Sequence, residues 1–149
     1  MPHNSQDVVI QQLNNILANT YSLYFKTHSY HWNVEGMHFH TLHTMFEQHY
    51  TEMWTAIDEI AERIRALGSY APLNHAKMIE TSQIVQDDNV PNATDMIANL
   101  VTGHQTLIKN LNQALTAAQE NHDEVTSDVF LARLQIHEKT LWMLKSLNK

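Results

Sequence analysis

Histidine is concentrated in one stretch of this chain. His28, His31, His38, His40, His43 and His49 fall within 22 residues, out of 11 histidines in 149 positions. Imidazole is a ligand for iron, zinc, copper and nickel, and carboxylates beside it move the preference toward iron or manganese. Carboxylates are present at ligand spacing. On a helix advancing 100° per residue, His43, Glu47, Trp54, Asp58 and Glu62 share an arc of roughly 100°. His43/Glu47 and Asp58/Glu62 are i, i+4 pairs, and each can grip a cation from one side of the helix. A polar flank with ordinary ion pairing is the plainer alternative. There is no cysteine, which excludes disulfides, thiolate metal sites and thiol nucleophiles.

The usual di-iron bundle needs Glu-x-x-His from two helices. Here that spacing occurs once, at Glu35–His38, where Gly36 breaks a helix. A di-iron site buried inside one bundle is therefore not expected. Nor can His43 and Asp58 share a metal within one chain, because 15 residues of helix separate them by about 22 Å. Two antiparallel copies of the helix resolve the conflict. About a twofold axis near residues 52–53, His43 of one copy faces Glu62 of the other, and Glu47 faces Asp58. An isologous dimer would thus hold two equivalent sites. Tyr50 and Trp54 would pack near the axis, and His31 could add a nitrogen ligand if a helix hairpin brought it beside His43.

Elements able to position these residues are legible in the 3.6-residue period. A first helix opens at Ser5 or Gln6 and carries Ile10, Leu13, Ile16, Leu17, Tyr21, Leu23, Tyr24, Thr27 and His31, closing at Asn33–Gly36. A second runs from about Phe39 to Leu67 on a stripe of Phe39, Leu42, Phe46, His49, Met53, Ile57, Ile60, Ile64 and Leu67, with Gly68 as its stop. Residues 69–91 form a long connection with a short helix near Asn74–Glu80, long enough to cross a bundle. A third helix follows Asn92 and carries His104 on its apolar stripe. A fourth follows the polar turn Glu120–Glu124 and carries Val129, Phe130, Leu134, His137, Leu141, Leu144 and Leu147. The expectation is an all-α four-helix bundle forming one domain over residues 1–149. His104 and His137 read as hydrogen-bonded core histidines. His3, His75 and His122 read as exposed.

Charge narrows the partners. The net charge is −7, a poor match for a polyanion. The first basic residue is Lys26, and the C-terminus offers only Lys145 and Lys149. No signal peptide is readable near Met1, and no apolar run approaches the length of a membrane span. A cytoplasmic protein is the default expectation.

Two segments are specific enough to suggest a family. His31-Trp32-Asn33-Val34-Glu35-Gly36-Met37-His38-Phe39-His40-Thr41-Leu42-His43-Thr44-Met45-Phe46-Glu47 and Asp58-Glu59-Ile60-Ala61-Glu62-Arg63-Ile64-Arg65-Ala66-Leu67-Gly68 resemble the Dps family (DNA-binding protein from starved cells), the mini-ferritins. His137-Glu138-Lys139-Thr140-Leu141-Trp142-Met143-Leu144 is similar to that family too. The resemblance implies a ferritin-like bundle with a short helix in the long connection, assembled as a dodecamer of twofold dimers. It implies ferroxidase sites between subunits, with His31 and His43 from one subunit and Asp58 and Glu62 from its mate. Glu47 would be a further ligand, direct or through water, and Trp32 the aromatic beside the site. The implied activity is oxidation of Fe(II), by hydrogen peroxide or dioxygen, with ferric mineral stored inside. Zinc or another divalent ion could occupy the same ligands. Glu120, Asp123, Glu124 and Asp128 fit an iron-attracting pore, or else a solvated turn. The acidic balance and the lack of a basic tail argue against DNA binding. Other functions to separate are a DNA-compacting protein, a zinc or copper buffer using His28, His38, His40 and His49, and a plain structural bundle.

Overall fold

The computed structural model describes residues 5–149, so the expected exposure of His3 lies outside the described residues. These residues form five helices and no strand: α1 (Ser5–Asn33), α2 (Phe39–Ala66), α3 (His75–Glu80), α4 (Ala93–Glu120) and α5 (Glu124–Leu147). Their ends follow local chemistry. The side chains of Asn74, Asn92 and Asp123 accept the backbone N–H groups of Lys77, Asp95 and Thr126, capping α3, α4 and α5. Past α2, the Ser69 N–H reaches back to the Ile64 carbonyl over Gly68, whose φ of +96° is a left-handed value that favours glycine.

Cross-helix contacts give the directions. Gln6 meets Leu67 and His31 meets His43, so α1 and α2 are antiparallel. Asn19 bonds Asn110 and Tyr30 bonds Asn99, so α1 and α4 are antiparallel as well. It follows that α2 and α4 run parallel, which requires a connection as long as the bundle. A Cβ on Gly103 would lie 2.6 Å from Leu23 Cδ1, so the missing side chain lets α1 and α4 approach closely.

That connection is pinned by polar anchors. Asn19 Oδ1 accepts the Gln83 N–H at 2.7 Å and the Ser82 hydroxyl at 3.1 Å. Asp87 accepts the Tyr30 hydroxyl and pairs with the buried ammonium of Lys26 at 3.3 Å. Burial, and then the hydrogen bond to Asp87, hold the Tyr30 phenol well above its ordinary range. Lys26 is therefore a structural cation, tied to the crossover.

The core runs the length of the bundle, from Leu13, Ile16 and Leu23 through Phe46, Met53, Ile60 and Ile64 to Leu100, Leu107, Leu111, Phe130 and Leu144. Two stripe residues depart from expectation. Phe39 and Leu147 remain 43% and 41% exposed, and each stands at the end of its helix. No described helix is long and apolar enough to cross a membrane.

His104 and His137 are buried in the core, as read. Their protons can be assigned from fixed donors. Arg133 only donates, so its Nη2 fixes His137 Nε2 as an acceptor at 2.9 Å. His137 Nδ1–H then donates to His104 Nδ1 at 3.0 Å, which leaves the His104 proton on Nε2. Arg133 is anchored by two bonds to Glu52 on α2. Burial, then the charges nearby, push His104 down to about 3 and His137 well below the ordinary range. Below about pH 6.5 the unfolded chain takes up a proton at His104 that the folded chain refuses until far lower pH. Stability therefore falls as the pH drops, by about 1.4 kcal/mol per pH unit for each such proton. His104→Gln should show a shallower loss than the parent on acidification in urea titrations. An identical slope would overturn this assignment.

Candidate metal centre

The α1–α2 hairpin brings His31 and His43 together. Their rings stack with centroids 3.7 Å apart and planes 14° from parallel. His31 Nδ1 lies 2.7 Å from the His43 carbonyl oxygen, and His43 Nδ1 lies 2.7 Å from the His31 carbonyl oxygen. A carbonyl only accepts, so both Nδ1 atoms carry protons. Both Nε2 atoms therefore keep a free lone pair, the form in which neutral imidazole binds a metal. The His31 carbonyl belongs to the last turn of α1, where carbonyls lack helical partners. The His43 side chain thus closes α1 while its own ring is oriented.

The carboxylates stand apart from this pair. Asp58 and Glu62 are exposed, further along α2. The Glu62 carboxyl is held above its usual range by a shared hydrogen bond with Asp58 and then by that neighbour's charge. Two exposed carboxylates one helical turn apart are a natural half-site for a cation. Glu47, one turn from His43, is exposed. Among the described residues, no group of three or more His, Asp or Glu in one chain is arranged to hold a metal. Each chain carries an imidazole half and a carboxylate half, on the same helix but separated.

Trp32 is 58% exposed and lies against His28, centroids 4.1 Å apart. His28 was left without a role by its spacing, yet it stacks on Tyr50 at 3.9 Å and 13°. Burial, then the neighbouring His31, hold His28 below the ordinary histidine range. Tyr24, read as a member of an apolar stripe, bonds His28 Nδ1 through its hydroxyl at 2.9 Å. The spacing of Tyr24 and His28, one helical turn, was the available signal.

His38 and His40 are exposed, while His49 is half-buried and lines a cleft of about 310 Å³ between α2 and α5. The four additional histidines do not converge. Of the acids near the α4–α5 turn, Glu120, Glu124 and Asp128 are exposed. Asp123 is half-buried and already engaged, capping α5 and pairing with Arg63 at 3.3 Å. Burial is the largest single effect on its carboxyl and pushes it up, but the Thr126 bonds and Arg63 together outweigh it and hold the group below the usual range.

Four long helices with this crossover define a ferritin-like protein, and the ferritin-like domain family matches residues 10–149. The chain is 37% identical over 138 residues to DNA protection during starvation protein 2 of Bacillus anthracis, covering 93% of this chain and 94% of that one. A Dps crystal structure from Bacillus brevis superposes with a TM-score of 0.95 at 35% identity, covering both chains completely. A Vibrio cholerae Dps structure, described as a member of a broad superfamily of ferritin-like diiron-carboxylate proteins, superposes with a TM-score of 0.93 at 32% identity, covering 97% of this chain and 91% of that one. The chain belongs to the Dps family of ferritin-like proteins.

The reciprocal histidine bonds are testable without metal. His43→Phe keeps an aromatic ring but removes the donor to the His31 carbonyl. It should lower unfolding stability by about 1–3 kcal/mol in denaturant titration. No loss would show that the bond does not order the hairpin.

Proposed function

We propose that this protein is an iron-storing, iron-detoxifying ferroxidase whose sites are completed between two subunits. The observation that carries the reading is the His31–His43 pair, with both Nδ1 atoms held by backbone carbonyls and both Nε2 atoms left free. An antiparallel second copy of α2 would bring its own Asp58 and Glu62 to these nitrogens. Glu47 would add a carboxylate at the edge. Two nitrogens and several carboxylate oxygens suit Fe(II) entry and Fe(III) departure better than a closed, strongly binding site would. Zinc would compete for the same ligands.

Fe(II) and hydrogen peroxide, or dioxygen, are the substrates. Two Fe(II) give one electron each, so a peroxide is reduced by two electrons without release of hydroxyl radical. Asp58 and Glu62 attract the cation, and the stacked imidazoles orient it. Trp32 lies against His28, which neighbours His31. Ferric product would collect as mineral inside a dodecamer assembled from twofold dimers, in the cytoplasm. Glu120, Glu124 and Asp128 would guide cations inward, with Asp123 serving the turn itself.

In the assembled protein, His31→Ala/His43→Ala and Asp58→Asn/Glu62→Gln should each slow Fe(II) oxidation by peroxide severalfold or more, without dissociating the oligomer on size-exclusion chromatography. Parental rates in both double variants would overturn the site. DNA compaction is disfavoured by charge, since twelve chains at −7 carry roughly −84 before iron binds. Gel-shift assays at moderate salt should show free DNA. Retarded DNA would overturn that reading.

A further inference from the structure

The imidazole and carboxylate halves of one chain are joined by rings. From His31, beyond its partner His43, the next rings are Tyr50, with centroids 5.2 Å apart, and His28, at 6.1 Å. His28 contacts Trp32 at 4.1 Å and Tyr50 at 3.9 Å. Tyr24 lies 5.5 Å from His28 and 6.1 Å from Tyr50. It then meets Trp54 at 5.3 Å, and Trp54 shares the wall of one cleft with Asp58. No step in this run exceeds the 7 Å range of aromatic contact. Ring packing between two helices would account for some of these contacts. It does not account for the phenol–imidazole hydrogen bond between Tyr24 and His28 in the middle of the run.

That bond has a chemical consequence. A phenol that loses an electron becomes a strong acid, so its oxidation is easy only where a base can take the proton. His28 Nδ1 is that base, 2.9 Å from the Tyr24 hydroxyl. Burial and the neighbouring tyrosines hold the Tyr24 phenol above its ordinary range, so it is protonated at rest.

We propose that Tyr24, hydrogen-bonded to His28 and in ring contact with Tyr50 and Trp54, is a single-electron relay between the His31/His43 end and the Asp58/Glu62 end of the chain. The inference rests on the ferroxidase reading above. In the twofold dimer these ends belong to different metal centres, so the relay joins the two centres of one dimer. It matters when only one Fe(II) meets a peroxide. That Fe(II) gives one electron, the O–O bond breaks, and hydroxide and a hydroxyl radical result. Tyr24 then supplies the second electron. The hydroxyl radical becomes hydroxide, the phenol becomes a neutral tyrosyl radical, and the phenolic proton moves to His28. An Fe(II) at the other centre returns the electron and becomes Fe(III), and His28 returns the proton. The sum is two Fe(II) oxidised and one peroxide reduced, although the irons sit at separate centres.

Two experiments on the assembled oligomer test this. In the first, azide radicals made by pulse radiolysis oxidise tryptophan in metal-free protein. The indolyl radical should pass its oxidation to tyrosine in a step independent of protein concentration. Tyr24→Phe, which keeps the ring, should slow that step severalfold. Tyr70→Phe, at an exposed tyrosine outside the run, should leave it unchanged. Equal rates in the parent and Tyr24→Phe overturn the relay. In the second, samples frozen during reaction with substoichiometric Fe(II) and peroxide are read by electron paramagnetic resonance. The parent should show a tyrosyl signal that Tyr24→Phe lacks, with more oxidised tryptophan in the variant by mass spectrometry. The same signal in both also overturns the relay. A parent that oxidises no Fe(II) overturns the ferroxidase reading, and the refilling step with it, while the radiolysis result still decides whether the path exists.

Discussion

The hairpin between α1 and α2 depends on two hydrogen bonds that each perform two tasks. Each imidazole of the His31–His43 pair donates to the backbone of the other residue. One bond satisfies a carbonyl that the end of α1 would otherwise leave unpaired. Together they set the tautomers of both rings and hold them in register. The free nitrogens are therefore a by-product of how the hairpin closes. A metal-binding histidine is oriented by whatever accepts its other N–H, be it a carboxylate, water or a backbone carbonyl. Here the backbone serves, which ties the geometry of the half-site to the packing of the two helices.

A second polar device lies in the seam between α2, α4 and α5. Arg133 is buried, and Glu52 compensates its charge with two bonds. Because the guanidinium cannot accept, it dictates the proton positions on His137 and then His104. The chain of bonds is directional, and its origin is a charge fixed at all ordinary pH values. Buried pairs of this kind add little net stability over apolar packing, but losing one partner is costly. The crossover is held in a similar way by Lys26, Tyr30 and Asp87. A basic residue in an acidic protein is here a packing element, unavailable to a polyanion.

Much of the fold was legible because long amphipathic helices repeat their signal over many turns. The stops at Gly36 and Gly68, and the helix start after Asn92, are local chemistry and were read locally, whereas the caps at Asn74 and Asp123 came only with the fold. Phe39 and Leu147 were misjudged because periodicity assigns a face but not whether a neighbour extends far enough to cover it. Asp123 looked like its acidic neighbours, and only the folded turn showed its carboxylate occupied by Thr126 and Arg63. His28 and Tyr24 lacked a role because their significance lies in contacts with Tyr50, Trp32 and Trp54, residues on two helices.

The sequence by itself determined the helical class, the placement of His43 and Asp58 too far apart along one rigid helix to meet, and the acidic balance. These follow from period, rise and composition, which need no tertiary contact. The tertiary structure decided which histidine nitrogens are free, which carboxylates are already engaged, and that aromatic rings bridge the two halves of the chain. Those properties depend on donors and rings supplied across helix pairs. Spacing along one helix carries no information about what the next helix places opposite it.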